Sequence, residues 1–158
     1  MEGEVYVTDA PLIILKNAKW IPPEENWHAP IQPAKQLINE LTIAIKTSGE
    51  TFSGTDDDVT LYAHYLDASG REVLESSELN TSMHNDFETN DVDTFQWKLQ
   101  GPVPLENFLY FEVKKKGKDD WVVEWIKISD AQTGVLLGSV EGRFELSSKE
   151  DYVRINAR

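Results

Sequence analysis

Three acidic, oxygen-rich runs stand where predicted strands meet loops: Gly54-Thr55-Asp56-Asp57-Asp58-Val59, Asn85-Asp86-Phe87-Glu88 and Lys118-Asp119-Asp120-Trp121. Hard divalent cations take about six to eight oxygen ligands from carboxylates, amide side chains and backbone carbonyls, and three such loops closing on one another supply that chemistry. Clustered carboxylates repel by about 4 kcal/mol per pair at about 4 Å and an effective dielectric near 20. Loops holding several are therefore expected to splay without a cation and to be ordered by one. Taken alone, Asp56 to Asp58 fit a solvated turn at least as well, because Asp favours turns and acidic runs usually face water. Asn85 and Asp119 bring the metal reading level with that one.

No competing chemistry is as coherent. His28, His64 and His84 lie apart, and neither a Gly-x-Ser-x-Gly elbow nor a Gly-rich phosphate loop is present, so no enzyme is expected. His84, beside Asn85 and Asp86, has the neighbours for acid/base work, but a loop histidine next to a turn is ordinarily just exposed. The formal net charge of −13 repels a phosphate polymer, which argues against nucleic acid as the main partner. Lys114-Lys115-Lys116-Gly117-Lys118 forms the one basic cluster. Through Lys115, Lys116 and Lys118 it either meets anionic lipid headgroups, at about 1 kcal/mol per lysine, or simply solubilises a hairpin and offsets nearby aspartates. Phe52 is either a membrane wedge on the first acidic loop or a core residue beneath it. Trp97, Trp121 and Trp125 belong to strands and fill or edge the core. Trp20 and Trp27 are better placed for a partner surface.

The elements that must position these residues are strands. Apolar residues recur at every second position: Leu41, Ile43, Ile45; Leu61, Ala63, Tyr65; Phe95, Trp97, Leu99; Leu109, Phe111, Val113. Ser48-Gly49, Ala68-Ser69-Gly70-Arg71, a Gly101-Pro102-Val103-Pro104 breaker and Thr133-Gly134 punctuate them. With the Trp121 to Ile128 run and weaker candidates at Val73 to Leu79, Val135 to Glu141 and Tyr152 to Asn156, the total is about eight strands, the usual range for two packed antiparallel sheets. The 158 residues, 40% apolar, suffice for one domain with a proper core. No stretch approaches the roughly 20 apolar residues of a membrane span. The acidic start, Met1-Glu2-Gly3-Glu4, does not read as a secretory signal, although a trimmed signal leaves secretion open. Without cysteine, the redox compartment is undecided, so cytoplasmic and secreted locations both stand. Residues 1–36, with five prolines and two tryptophans, are expected to form an N-terminal arm that packs on the sandwich or links it to a neighbouring domain, leaving 37–158 as the sandwich.

From about Leu41 to Leu137 the chain resembles the PLAT/LH2 domain of lipoxygenases, pancreatic lipases and clostridial phospholipase C toxins. Gly54-Thr55-Asp56 before a Val-led strand, Asn85-Asp86-Phe87 followed by Asp93-Thr94-Phe95, and Trp121 ahead of an Ile/Val-rich strand carry the likeness, three motifs in order. The resemblance implies an antiparallel eight-stranded β-sandwich of C2-like architecture and a non-catalytic module that docks on lipid or membrane surfaces, or on another protein, in several members with calcium. It also implies a ligand set: the Gly54 carbonyl, Asn85, Asp119 and either the carbonyl or the carboxylate of Asp120, with Asp56 and Asp57 near a further site. Toxin-type domains carry a carboxylate where this chain has Phe52, so the site lacks a ligand or borrows Glu50. Calcium binding is accordingly expected in the weak class of extracellular modules, about 10⁻⁴ to 10⁻³ M. The alternative is a protein-interaction or targeting module with a degenerate or absent metal site; a third reading is a carbohydrate-binding sandwich with an exposed aromatic platform.

Overall fold

The computed structural model describes residues 36–81, 83–147 and 149–158. Apart from Gln36, the expected arm over 1–36, with Trp20 and Trp27, lies outside the described residues. Eight strands follow: β1 (Leu37–Thr47), β2 (Asp58–Leu66), β3 (Glu72–Glu78), β4 (Val92–Pro104), β5 (Phe108–Gly117), β6 (Trp121–Asp130), β7 (Leu136–Leu146) and β8 (Lys149–Asn156). They form two antiparallel four-stranded sheets, ordered β4-β1-β6-β7 and β3-β2-β5-β8, the β-sandwich that the alternation predicts.

The inner faces are written in period two. Leu41, Ile43 and Ile45 of β1, Val59, Leu61 and Ala63 of β2, Phe95, Trp97 and Leu99 of β4, and Phe111 and Val113 of β5 are all buried in one core. Trp121 is completely buried and its Nε1–H donates to Thr47 Oγ1 at 3.0 Å, so the large ring enters the core without orphaning its polar edge.

Two expectations from the alternation fail, and bulges or edges explain both. Leu109 points outward while Phe108 is buried, because the β2–β5 register slips between His64 and Tyr65, and Tyr65 faces Phe108. One slipped residue flips every side chain beyond it to the other face. Gly101 to Pro104 does not break the chain: β4 continues through it and pairs again with β1 at Val103 and Pro104. Proline is tolerated there because β4 is an edge strand, where a missing N–H costs no ladder bond on the open side.

The registers place three strand connections at one end. Lys46 faces Val92, Thr47 faces Val123, and Asp58 faces Lys116, so the β1–β2, β3–β4 and β5–β6 loops leave the sandwich together. These loops contain the three acidic runs.

Candidate cation cleft

Backbone hydrogen bonds stitch the three loops before any side chain is considered. Thr55 N–H donates to Phe87 O at 3.1 Å, Asn90 N–H to Ser48 O at 2.9 Å, and Val122 N–H to Ser53 O at 3.0 Å, which ties the first loop to both others. The first loop passes so close to the second that a Cβ on Gly54 would lie 2.8 Å from Phe87 O and 3.0 Å from Thr89 N, both backbone atoms that cannot swing aside. Only glycine fits this approach.

An open cleft results, lined by Phe52, Gly54, Thr55, Asp56, Asn85, Glu88, Thr89, Lys118, Asp119 and Asp120. Of the metal-ligand positions carried over by the resemblance, Gly54, Asn85, Asp119 and Asp120 meet here, and Asp56 joins them. Asp119 is pre-positioned, since its Oδ2 accepts the Asp56 N–H at 3.0 Å and the Thr55 hydroxyl at 3.4 Å. Asn85 Nδ2 donates to Glu88 Oε2, which leaves the amide oxygen of Asn85 as its acceptor. The donor set is hard oxygen throughout, the chemistry that calcium prefers. Four carboxylates, those of Asp56, Glu88, Asp119 and Asp120, face the single ammonium of Lys118 around the cleft.

Asp57 does not belong to it. Its Oδ2 accepts from Lys115 Nζ at 3.0 Å and from the Asp119 N–H at 2.7 Å, while Oδ1 accepts from the Lys118 N–H at 3.0 Å. Burial by itself would raise the Asp57 carboxyl, but these donors outweigh it and hold the group below the usual carboxylate range. Gly117 is the counterpart of this arrangement: a Cβ there would fall 1.9 Å from Asp57 Oδ1, so the carboxylate occupies the space a side chain would need. Asp57 thus acts as a half-buried clamp, paired with the fully buried Lys115, that fixes the loop carrying Asp119.

The basic run is likewise divided by the strand rather than gathered in a loop. Lys115 is in phase with Phe111 and Val113, points inward and is fully buried, which removes it from any headgroup-facing surface. Lys116 turns to the outer face between Asp58 and Glu150 in the β2–β5–β8 register. Only Lys118 lines the cleft. Glu50 is not borrowed as a ligand, because Arg143 grips it through Nε and through Nη2 at 3.1 Å, and this fork holds its carboxyl below the usual range.

Phe52 is not core: it is 91% exposed at the rim, with φ of 63°. Met83, on the β3–β4 loop and without any warning in the pattern, is fully exposed as well, with φ of 62°. Four of the five non-glycine residues with positive φ among the described residues, Phe52, Met83, Phe87 and Asn90, sit in these two loops. Backbone held in this sparsely populated region concentrates where structure over-determines it, commonly at functional sites. Beneath the second loop, Asp93 Oδ2 accepts the Phe87 N–H at 2.8 Å and Asp86 Oδ2 the Thr81 N–H at 2.6 Å. Asp93 was legible in principle, being in phase with Phe95 and Trp97 on β4.

Comparison with solved structures places this architecture among PLAT/LH2-like domains. The alpha-toxin of Clostridium perfringens (avian strain SWCP) superposes with a TM-score of 0.68 at 22% identity, over 78% of this chain and 33% of the toxin. The alpha toxin of Clostridium absonum gives 0.65 at 18% identity, over 81% and 33%. Coral 8R-lipoxygenase, described with calcium activation via a C2-like domain, gives 0.54 at 18% identity, over 75% and 17%. The chain therefore spans about a third of the toxins and about a sixth of the lipoxygenase. No curated protein matches it significantly in sequence. The model of embryo-specific protein 3 (ATS3) matches residues 27–144, most of the chain. By that match this PLAT/LH2-like sandwich belongs to the embryo-specific protein 3 (ATS3) family.

Proposed function

We propose that this chain is a non-catalytic interaction module that docks on lipid or membrane surfaces with the help of calcium bound in the three-loop cleft. One observation carries the reading: Gly54, Asn85, Asp119 and Asp120 come together in an open, carboxylate-rich cleft, with Phe52 exposed on its rim. A cation bound here offsets the repulsion among the cleft carboxylates, and open coordination positions then accept oxygens from anionic headgroups. Phe52 and Met83, on adjoining loops, supply apolar area to the acyl boundary, at about 25 cal/mol per Å² buried. Lys118 adds a local positive charge, worth about 1 kcal/mol near an anionic leaflet. The calcium activation described for the coral lipoxygenase through its C2-like domain is consistent with this use of the fold. With Phe52 in place of a ligand and Glu50 committed to Arg143, the cage is incomplete, and the affinity belongs to the weak class of about 10⁻⁴ to 10⁻³ M.

Sedimentation with phosphatidylserine-containing vesicles tests the reading. Calcium-dependent pelleting that is lost in Asn85→Ala and Asp119→Ala supports it. Indifference to both vesicles and chelator favours the second reading, a protein-interaction or targeting module, for which the incomplete ligand set is the specific observation.

A further inference from the structure

We propose that His84, Asp86 and Asp93 form a second cation site, distinct from the open cleft, that takes a first-row transition dication of the zinc class. These three residues are the one group of histidine and carboxylate side chains among the described residues whose ligand atoms all lie within 4.8 Å of one another. His84 Nε2 is 3.3 Å from Asp93 Oδ1 and 3.8 Å from Asp86 Oδ1. Zinc bonds of about 2.0 to 2.2 Å in tetrahedral geometry separate neighbouring ligand atoms by about 3.3 to 3.6 Å. The His84–Asp93 spacing lies in that range, the His84–Asp86 spacing is slightly wider, and no pair exceeds 4.8 Å, so an ion would draw the carboxylates inward by no more than a side-chain adjustment.

Independent support comes from Asp86. Its side chain is only 7% exposed, and its Oδ1, the oxygen turned toward His84, is buried with no hydrogen-bond partner in the structure. Buried polar atoms are nearly always satisfied, and a carboxylate oxygen left without a donor points to an absent ligand. A proton on His84 does not resolve this, because 3.8 Å is beyond hydrogen-bond reach; an ion between the three atoms engages both carboxylates at once.

The supporting shell is already built. Asp86 Oδ2 is held by the Thr81 N–H and Asp93 Oδ2 by the Phe87 N–H, leaving one oxygen of each carboxylate for the ion. Asp93 stands on a strand, which fixes its position more firmly than a loop does. His84 is 51% exposed, so a fourth position opens to water or to a partner ligand. The imidazole also sets the selectivity: it favours zinc, cobalt and nickel over calcium and magnesium, whereas the cleft offers oxygen alone.

Titration of the full chain with zinc chloride in calcium-free buffer, followed by calorimetry and by melting, is the experiment. Expected is one zinc per chain with a rise in Tm, zinc binding at least tenfold tighter than calcium at this site, and a cobalt-substituted form with a visible d–d spectrum. His84→Ala, at a half-exposed position where folding is not at stake, is expected to weaken zinc at least tenfold while leaving the calcium response intact. Asn85→Ala and Asp119→Ala are expected to do the reverse, so failure of this site and failure of the cleft are distinguishable. His64→Gln serves as the control histidine, because its ring is engaged by Glu72 and Glu112 elsewhere on the sandwich. Absence of a zinc-dependent shift in the wild type, or undiminished zinc binding in His84→Ala, overturns the proposal.

Discussion

Asp57→Asn keeps the volume of the clamp and removes its charge. Lys115, whose side chain is 0% exposed, then holds an ammonium in the core without the carboxylate 3.0 Å away. Breaking one partner of a buried ion pair typically costs about 3 to 5 kcal/mol. Asp151 lies across the β5–β8 ladder from Lys115 and still feels its charge, which places the expected loss near the lower bound, about 3 kcal/mol. At roughly 4 °C per kcal/mol for a domain of this size, Tm falls by about 12 °C. Lys115→Met should cost less, about 1 to 2 kcal/mol, because Asp57 keeps its two backbone amide donors and some solvent contact. The double variant should be more stable than the sum of the single losses predicts, since the second change removes the charge that the first one stranded. Urea unfolding followed by circular dichroism measures all three. If Lys115→Met costs as much as Asp57→Asn, or more, the ammonium is not the group whose burial needs compensation, and the reasoning fails.

Gly54→Ala sets a methyl against the Phe87 carbonyl and the Thr89 amide, so it should lose about 1 to 3 kcal/mol and abolish the calcium response; a variant with wild-type melting and titration curves would contradict the close approach. Phe52→Ser, at a 91% exposed position, should leave stability within about 0.5 kcal/mol while reducing vesicle pelleting, and a large stability loss by urea unfolding would show that the ring packs after all. Tyr65, buried and donating to Glu75, has its phenol pushed up to about 12; the stability it contributes is complete below the unfolded value of about 10 and is lost as pH rises through 12, an alkaline transition that Tyr65→Phe should remove. At the acid end, Asp57 and Asp130, lowered by their hydrogen bonds against the opposing effect of burial, contribute stability that is present above the ordinary carboxylate value of about 4 and is lost as pH falls below it. Tm measured against pH should therefore decline on the acid side, and less steeply in Asp57→Asn.

The strand pattern was legible because burial on one face of a sheet imposes period two on the residue types, and all eight strand candidates correspond to strands. The pattern failed where its phase slipped, as at Leu109, and where an edge strand absorbed two prolines. The acidic loops were legible as a set because composition marks them as turns rich in oxygen donors. Which acid serves the cleft was not, since Asp56 and Asp57 are chemically identical neighbours and differ only in what the folded chain places beside them. The inward phase of Lys115 and Asp93 was visible in the alternation, but a charge in that phase is unusual enough to be read as surface until a partner is seen.

By itself the sequence determined the class of the fold, the number of its strands and the oxygen chemistry of three loops, because these follow from local periodicity and side-chain type. The tertiary structure alone decided that those loops meet at one end, that Asp57 turns inward to Lys115, that Arg143 claims Glu50 and that Phe52 stands in water. Each of these depends on contacts between residues distant in the chain, and such contacts are fixed by strand register and by the pairing of buried charges, which leave no local mark in the order of the residues.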